Sequence, residues 1–133
     1  MFAMSKIEIK HPDRSNDFVT GAFSDGVFID DFLFVSGQAS VDFKTSRFVL
    51  GTIEDETHRT LCNVKAILEA AGYSMDDIIK CTVYLKDIRD FDKYNEVYSQ
   101  YFRGVRPART TIQSGLGRDI KIEIDCIARL SRD

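Results

Sequence analysis

Arg109 and Glu123 have the types and the setting that proton-transfer chemistry on a small anion would use. Arg109 lies in the run Arg106-Pro107-Ala108-Arg109-Thr110-Thr111, and Glu123 in Ile120-Lys121-Ile122-Glu123-Ile124-Asp125-Cys126. A guanidinium is a rigid fork that can donate two parallel hydrogen bonds to a carboxylate, a geometry lysine cannot reproduce. A glutamate can accept a proton and later return it if partial burial lifts its pKa, whereas a nearby arginine would pull that pKa down. The plain alternative for the two is a cross-strand ion pair, worth about 1 kcal/mol or less where exposed.

Three further polar residues occupy unusual places. Ser36 ends an apolar run and is followed at once by Gly37. A glycine there permits a bulge that aims Ser36 at a cleft, or it marks a simple strand end. Asn95 interrupts an aromatic stripe at helical spacing, so its amide must either brace a neighbouring backbone loop or face a polar cavity. Thr111, two residues after Arg109, shares a strand face with it and either offers a hydroxyl to a ligand or fills space as a β-favouring residue. A metal site is a poor fit. The histidines are His11 and His58, the latter four residues after Glu54 as a solvated helical pair, and Cys62, Cys81 and Cys126 show no C-x-x-C spacing.

These residues need elements to hold them. From Ile120 onward apolar residues alternate with Lys121, Glu123, Asp125 and Arg129, the period of a half-buried strand. The turn-rich connector from Gly115 to Asp119 suggests that this strand pairs antiparallel with the one beginning near Arg109. Upstream, Val27–Ile29 and Phe32–Ser36 flank Asp30-Asp31 as a two-residue hairpin, and Ser5–Lys10 reads as a short edge strand before a turn-prone segment. Thr52 to Ala71 reads as a helix with capping-box spacing at Thr52 and Asp55, an apolar stripe and a stop at Gly72. Ile78–Leu85 reads as a central strand, and a second helix with a Phe91, Tyr94, Tyr98, Phe102 stripe is expected over about 87–102. Cys81 and Cys126 fall on apolar phases and read as core residues. The order predicts an α+β sandwich of two layers, a mixed sheet with both helices on one face. Ile78, Tyr84 and Ile127 hint that the other face is apolar enough to pack against further copies.

At 133 residues, 44% apolar and 29% charged, the chain suits one domain, with 1–17 as a partly irregular N-terminal segment. A net charge of -3 argues against dominant attraction to nucleic acid or an anionic membrane. The longest apolar run, Phe32–Val35, is far short of a membrane span, and the N-terminus lacks the apolar core of a signal peptide. A cytoplasmic protein is the expectation.

The segment from Arg106 to Thr111 with Ile122-Glu123-Ile124, together with Phe34–Gln38, Asn63–Gly72 and Asn95–Tyr98, resembles the RidA family of reactive-intermediate deaminases. This family is also called YjgF-like and was formerly labelled endoribonuclease L-PSP. The likeness runs from about Gly21 to Ala128. It implies a chorismate-mutase-like fold assembled as a homotrimer with sites at subunit interfaces. It also implies hydrolysis of 2-imino acids and their enamine tautomers to 2-keto acids and ammonia, without metal or organic cofactor. On this resemblance Arg109 holds the substrate carboxylate, Glu123 positions water, and Ser36 and Asn95 line the site. Phe23 stands where the family carries an aromatic hydroxyl, and Thr111 where it often carries a cysteine. The connector before the last strand is about one residue shorter than in typical members.

Other functional classes stay open. The older family labels, and Arg103, Arg106 and Arg109 at every third residue, suggest RNA binding, endoribonuclease or translation-inhibitor activity. Such a run is more often helix termination, and no histidine pair supplies nuclease chemistry. A non-catalytic trimer that binds small carboxylates is the third class.

Overall fold

In the computed structural model, which describes residues 5–14 and 21–130, local sequence signals set most element boundaries. Strand β1 (Ile7–Ile9) pairs antiparallel with β2 (Gly26–Ile29), which turns into β3 (Phe32–Gln38) through Asp30 at φ 54°. That left-handed conformation is tolerated by a short polar side chain. A small hairpin, β4 (Val41–Asp42) and β5 (Arg47–Phe48), follows.

Helix α1 spans Ile53–Ala70, and Thr52 caps it by accepting from the Asp55 amide at 3.1 Å. Gly72, at φ 80°, closes it and allows the Tyr73 amide to reach back to the Leu68 carbonyl. Strand β6 (Ile78–Leu85) follows a short 3-10 turn. The second helix is shorter than the sequence suggests: a 3-10 turn at Ile88–Asp90 leads into α2, Phe91–Ser99. Strands β7 (Ala108–Gln113) and β8 (Ile122–Arg129) complete the chain. Residues 15–17, part of the expected irregular N-terminal segment, lie outside the described residues.

The main sheet has the order β1-β2-β3-β8-β6-β7, antiparallel except where β7 runs parallel to β6. The expected antiparallel pairing of the last two strands is therefore wrong. Helix α2 carries the chain over the sheet, so β7 returns parallel on the outer side of β6, while β8 inserts between β3 and β6. Side-chain character agrees with these places. The core-facing residues Ile122, Ile124, Cys126 and Ala128 are all 2% exposed or less, whereas β7 reads Ala-Arg-Thr-Thr-Ile-Gln and no residue of it is fully buried.

Both helices cover one face. Leu61, Val64, Ile67 and Leu68 of α1 and Tyr94 and Tyr98 of α2 join Leu33, Val83 and Ile124 in one core, with Cys81 and Cys126 inside it as expected. The other face exposes Phe34, Ile79 and Ile112 at 42–47%, beside half-buried Tyr84 and Ile127. Ile78, expected on that open face, is instead 4% exposed in the core, because the β6–β8 register shifts between Ile78 and Lys80 and puts Ile79 outside. No helix among the described residues is long and apolar enough to cross a membrane.

Candidate active site

Arg109 is presented by the edge strand β7 toward α2. Its register partner is Cys81, a core residue, so its side chain emerges on the helix face. There its Nη1 donates to Asn95 Oδ1 at 2.7 Å, and the guanidinium carbon lies 4.7 Å from the Tyr98 ring centroid, 5.4 Å from Tyr94 and 5.5 Å from Phe91. Neutral partners fix its direction without neutralising its charge. Among the described residues no carboxylate forms an ion pair with it. Arg106 joins Arg109 and Asn95 in lining a surface cleft of about 340 Å³, so the pocket carries two guanidiniums. A small carboxylate suits it electrostatically.

Asn95 thus braces a side chain instead of a backbone loop, and it faces the same cleft. The hydroxyl of Thr111 is hydrogen-bonded to that of Tyr94, whose phenol burial pushes up. The aromatic stripe of α2, which the sequence suggested as core, also backs the guanidinium by cation–π contact.

Glu123 lies on the opposite face. Its register partner across β6 is Tyr84, and it faces the bulge in β3 where pairing slips between Val35 and Gln38. A Cβ added at Gly37 would overlap the Glu123 carboxylate, so the glycine gives that group its room. The carboxyl is half-buried, and its pKa is raised from 4.5, first by burial and then by the charge of Asp125. Arg109 is not among the causes, because β6 stands between the two strands. Two strand spacings, about 10 Å, and the thickness of the sheet separate the side chains within one chain. The cross-strand ion pair considered from sequence does not form.

Glu123 and Phe23 line a cavity of about 330 Å³. Phe23 is 55% exposed at its rim. Ser36 donates its hydroxyl to the Ser24 carbonyl at 2.6 Å, so it fastens the loop that carries Phe23. Next to Ser24, Asp25 forms a buried pair with Arg14 at 2.6 Å, and His11 stacks on Phe43 at 4.0 Å. The six sequence-derived residues therefore form two groups. Arg109, Asn95 and Thr111 lie against α2, and Glu123, Phe23 and Ser36 lie across the sheet.

Sequence reasoning missed Arg106 as a cleft residue, although its spacing from Arg109 was visible. It also missed Arg118, which stands over Phe48 at 5.5 Å beside the Glu123 cavity. His58 bonds the Tyr101 hydroxyl at 2.9 Å and not Glu54, so the expected helical pair gives way to a contact between α1 and the turn that follows α2. No group of three or more metal-ligating side chains occurs among the described residues.

The profile of the family described as Endoribonuclease L-PSP matches residues 15–130. A RutC family protein of Saccharolobus solfataricus is 53% identical over 112 residues, covering 84% of this chain and 89% of its own length. A 2-iminobutanoate/2-iminopropanoate deaminase of Rattus norvegicus is 40% identical over 109 residues, covering 81% of this chain and 80% of its own. Among solved structures, TdcF of E. coli with bound serine superposes with a TM-score of 0.83 at 37% identity, over 94% of this chain and 100% of its own. With its two-layer, chorismate-mutase-like sandwich and a match along nearly its whole length, this chain belongs to the endoribonuclease L-PSP family, the group of the RidA and RutC proteins.

Proposed function

We propose that this protein is a hydrolytic deaminase that converts 2-imino acids, and their enamine tautomers, to 2-keto acids and ammonia. The observation that carries this reading is an arginine aimed by neutral partners alone, next to a second guanidinium, in a chain whose one half-buried sheet glutamate has a raised pKa. The fork of Arg109 would take the substrate carboxylate. Water adds its oxygen to C2 while Glu123 accepts the proton that water loses and returns it to nitrogen; from the resulting carbinolamine Glu123 then takes the hydroxyl proton and passes it to the amino group, so that the C=O bond forms as the C–N bond breaks. Ammonia leaves with the nitrogen, and no redox step is required. The rat relative named as an imine deaminase and the E. coli relative holding serine, an amino acid with a free carboxylate, support the same chemistry.

The division of the residues between two faces supports a site completed between copies, Arg109 from one and Glu123 from the next. The exposed apolar residues Phe34, Ile79 and Ile112 give copies a surface on which to meet, and a closed homotrimer is the assembly we propose. The test is a coupled assay in which an amino-acid oxidase generates 2-iminopropanoate. The wild type is expected to release ammonia faster than buffer, and Arg109→Ala to do so about 100-fold less efficiently, the cost of two charge-assisted hydrogen bonds. Carboxylate binding at Arg109 with imine decay at the buffer rate would instead make the protein a binding module. Salt-dependent RNA binding lost with Arg103, Arg106 and Arg109 would favour the older label.

A further inference from the structure

The cavity beside Glu123 is much larger than a three-carbon imino acid requires. It encloses about 330 Å³, and much of its lining is apolar: Phe23, Val41, Phe43, Phe48 and Ile120. That wall is held in place before any ligand arrives. Asn63 donates from Nδ2 to the carbonyls of Ala39 at 3.1 Å and Val41 at 2.9 Å, Ser40 and Val49 exchange bonds of 2.7 and 2.8 Å, and His11 stacks on Phe43. Preformed, largely apolar pockets with a few polar groups are the usual receptacles for an apolar substrate tail. Methyl or ethyl groups would leave most of this one filled only by water.

We propose that this cavity receives the side chain of the imino acid, and that Phe48, on the β4–β5 hairpin, makes the enzyme select branched or aromatic side chains over methyl. The proposal rests on the deaminase reading and names the substrate class for that same site. With the carboxylate on Arg109 of one copy and C2 against Glu123 of the other, the side chain runs from C2 into the apolar wall. Arg118 stands over Phe48 at 5.5 Å, so a positive charge guards the mouth and disfavours imines derived from lysine or arginine. Asp25, which also borders the cavity, is held by Arg14 at 2.6 Å and offers little counter-attraction.

Each methylene moved from water into such a wall is worth about fourfold. Isobutyl carries three more carbons than methyl, which sets a ceiling of about 60-fold. The experiment generates imines with an amino-acid oxidase from alanine, leucine, phenylalanine and glutamate and measures kcat/KM for each. The leucine- or phenylalanine-derived imine is expected to exceed the alanine-derived one by about tenfold or more, and Phe48→Ala to lower that ratio about fivefold. Phe48 is 40% exposed on a two-residue strand, and unchanged thermal unfolding of the variant shows that the hairpin has survived. Faster turnover of the alanine- or glutamate-derived imine, or a ratio indifferent to Phe48→Ala, overturns the pocket assignment while leaving the deaminase reading in place. Absence of acceleration with all four imines overturns both.

Discussion

The separation of Arg109 and Glu123 can be tested by mixing two inactive variants. On the proposed reading, Arg109→Ala removes a bidentate grip on the substrate carboxylate worth about 3 kcal/mol, leaving about 1% of wild-type kcat/KM. Glu123→Gln would remove the proposed proton acceptor and is expected to cost about 100-fold or more. The register Arg109–Cys81–Cys126 and the neighbouring register Ile112–Tyr84–Glu123 place the two side chains on different faces, with β6 between their strands. A working site would then take its arginine from one copy and its glutamate from another. In an equal, random mixture of the variants, half the arginines and half the glutamates are intact, so about one quarter of the sites receive both. Activity should rise from about 1% in either variant to about 25% of wild type after the two are unfolded and refolded together. Native mass spectrometry would confirm that mixed assemblies formed. Mixed assemblies that stay as inactive as their parents would refute the shared site, because a site within one chain can never regain both residues by mixing.

Gly37→Ala should leave the fold nearly intact, at a cost under about 1 kcal/mol, because the added methyl meets only the end of a flexible side chain. The same methyl pushes the Glu123 carboxylate aside, so kcat/KM is expected to fall about tenfold or more; wild-type activity in this variant would contradict the placement. Glu123 has its folded pKa raised above 4.5, so its carboxylate form, and with it kcat/KM, should appear only above that ordinary value. The same sign makes stability from this group greatest below 4.5 and lost as pH rises through the raised pKa, so Glu123→Gln should be more stable than wild type near neutrality and lose that advantage in acid. Urea titrations of both proteins across pH would show it, and an advantage that grows in acid would count against the assignment. Glu56, fully buried on α1, accepts from the Gly51 amide at 3.1 Å, the Lys121 amide at 2.9 Å and the Lys121 ammonium at 3.2 Å. Glu56→Ala strands the two amides and should cost about 3 kcal/mol in urea unfolding. An unchanged midpoint would mean that these donors find water.

What could be read from the sequence was decided locally. Thr52 and Gly72 delimit α1 because a hydroxyl and a left-handed glycine act within one turn of their own position. Asp30 makes its turn for the same reason. The pairing of β7 and β8 was misread because the glycine-rich connector looks like a hairpin, whereas partner choice in a sheet is settled by distant strands. A usable signal was present: the Ile122–Ala128 alternation demands neighbours on both sides, and a strand as polar as β7 belongs at an edge. The residues Arg109, Glu123, Ser36, Asn95, Phe23 and Thr111 could be listed from sequence, and the β8 alternation already lifted Glu123 away from the core, but the face of Arg109 relative to Glu123 could not be read. For Arg109 that face follows from the parallel pairing of β7 with β6, which the connector did not signal.

On the proposed reading, a reactive set divided between the two sides of a sheet would also tie catalysis to how much protein is present. A lone chain would carry one half of the machinery on each surface and could complete neither, so specific activity should collapse on dilution below the point where copies separate. Expression level would then act as a threshold, with output rising more steeply than the amount of chain.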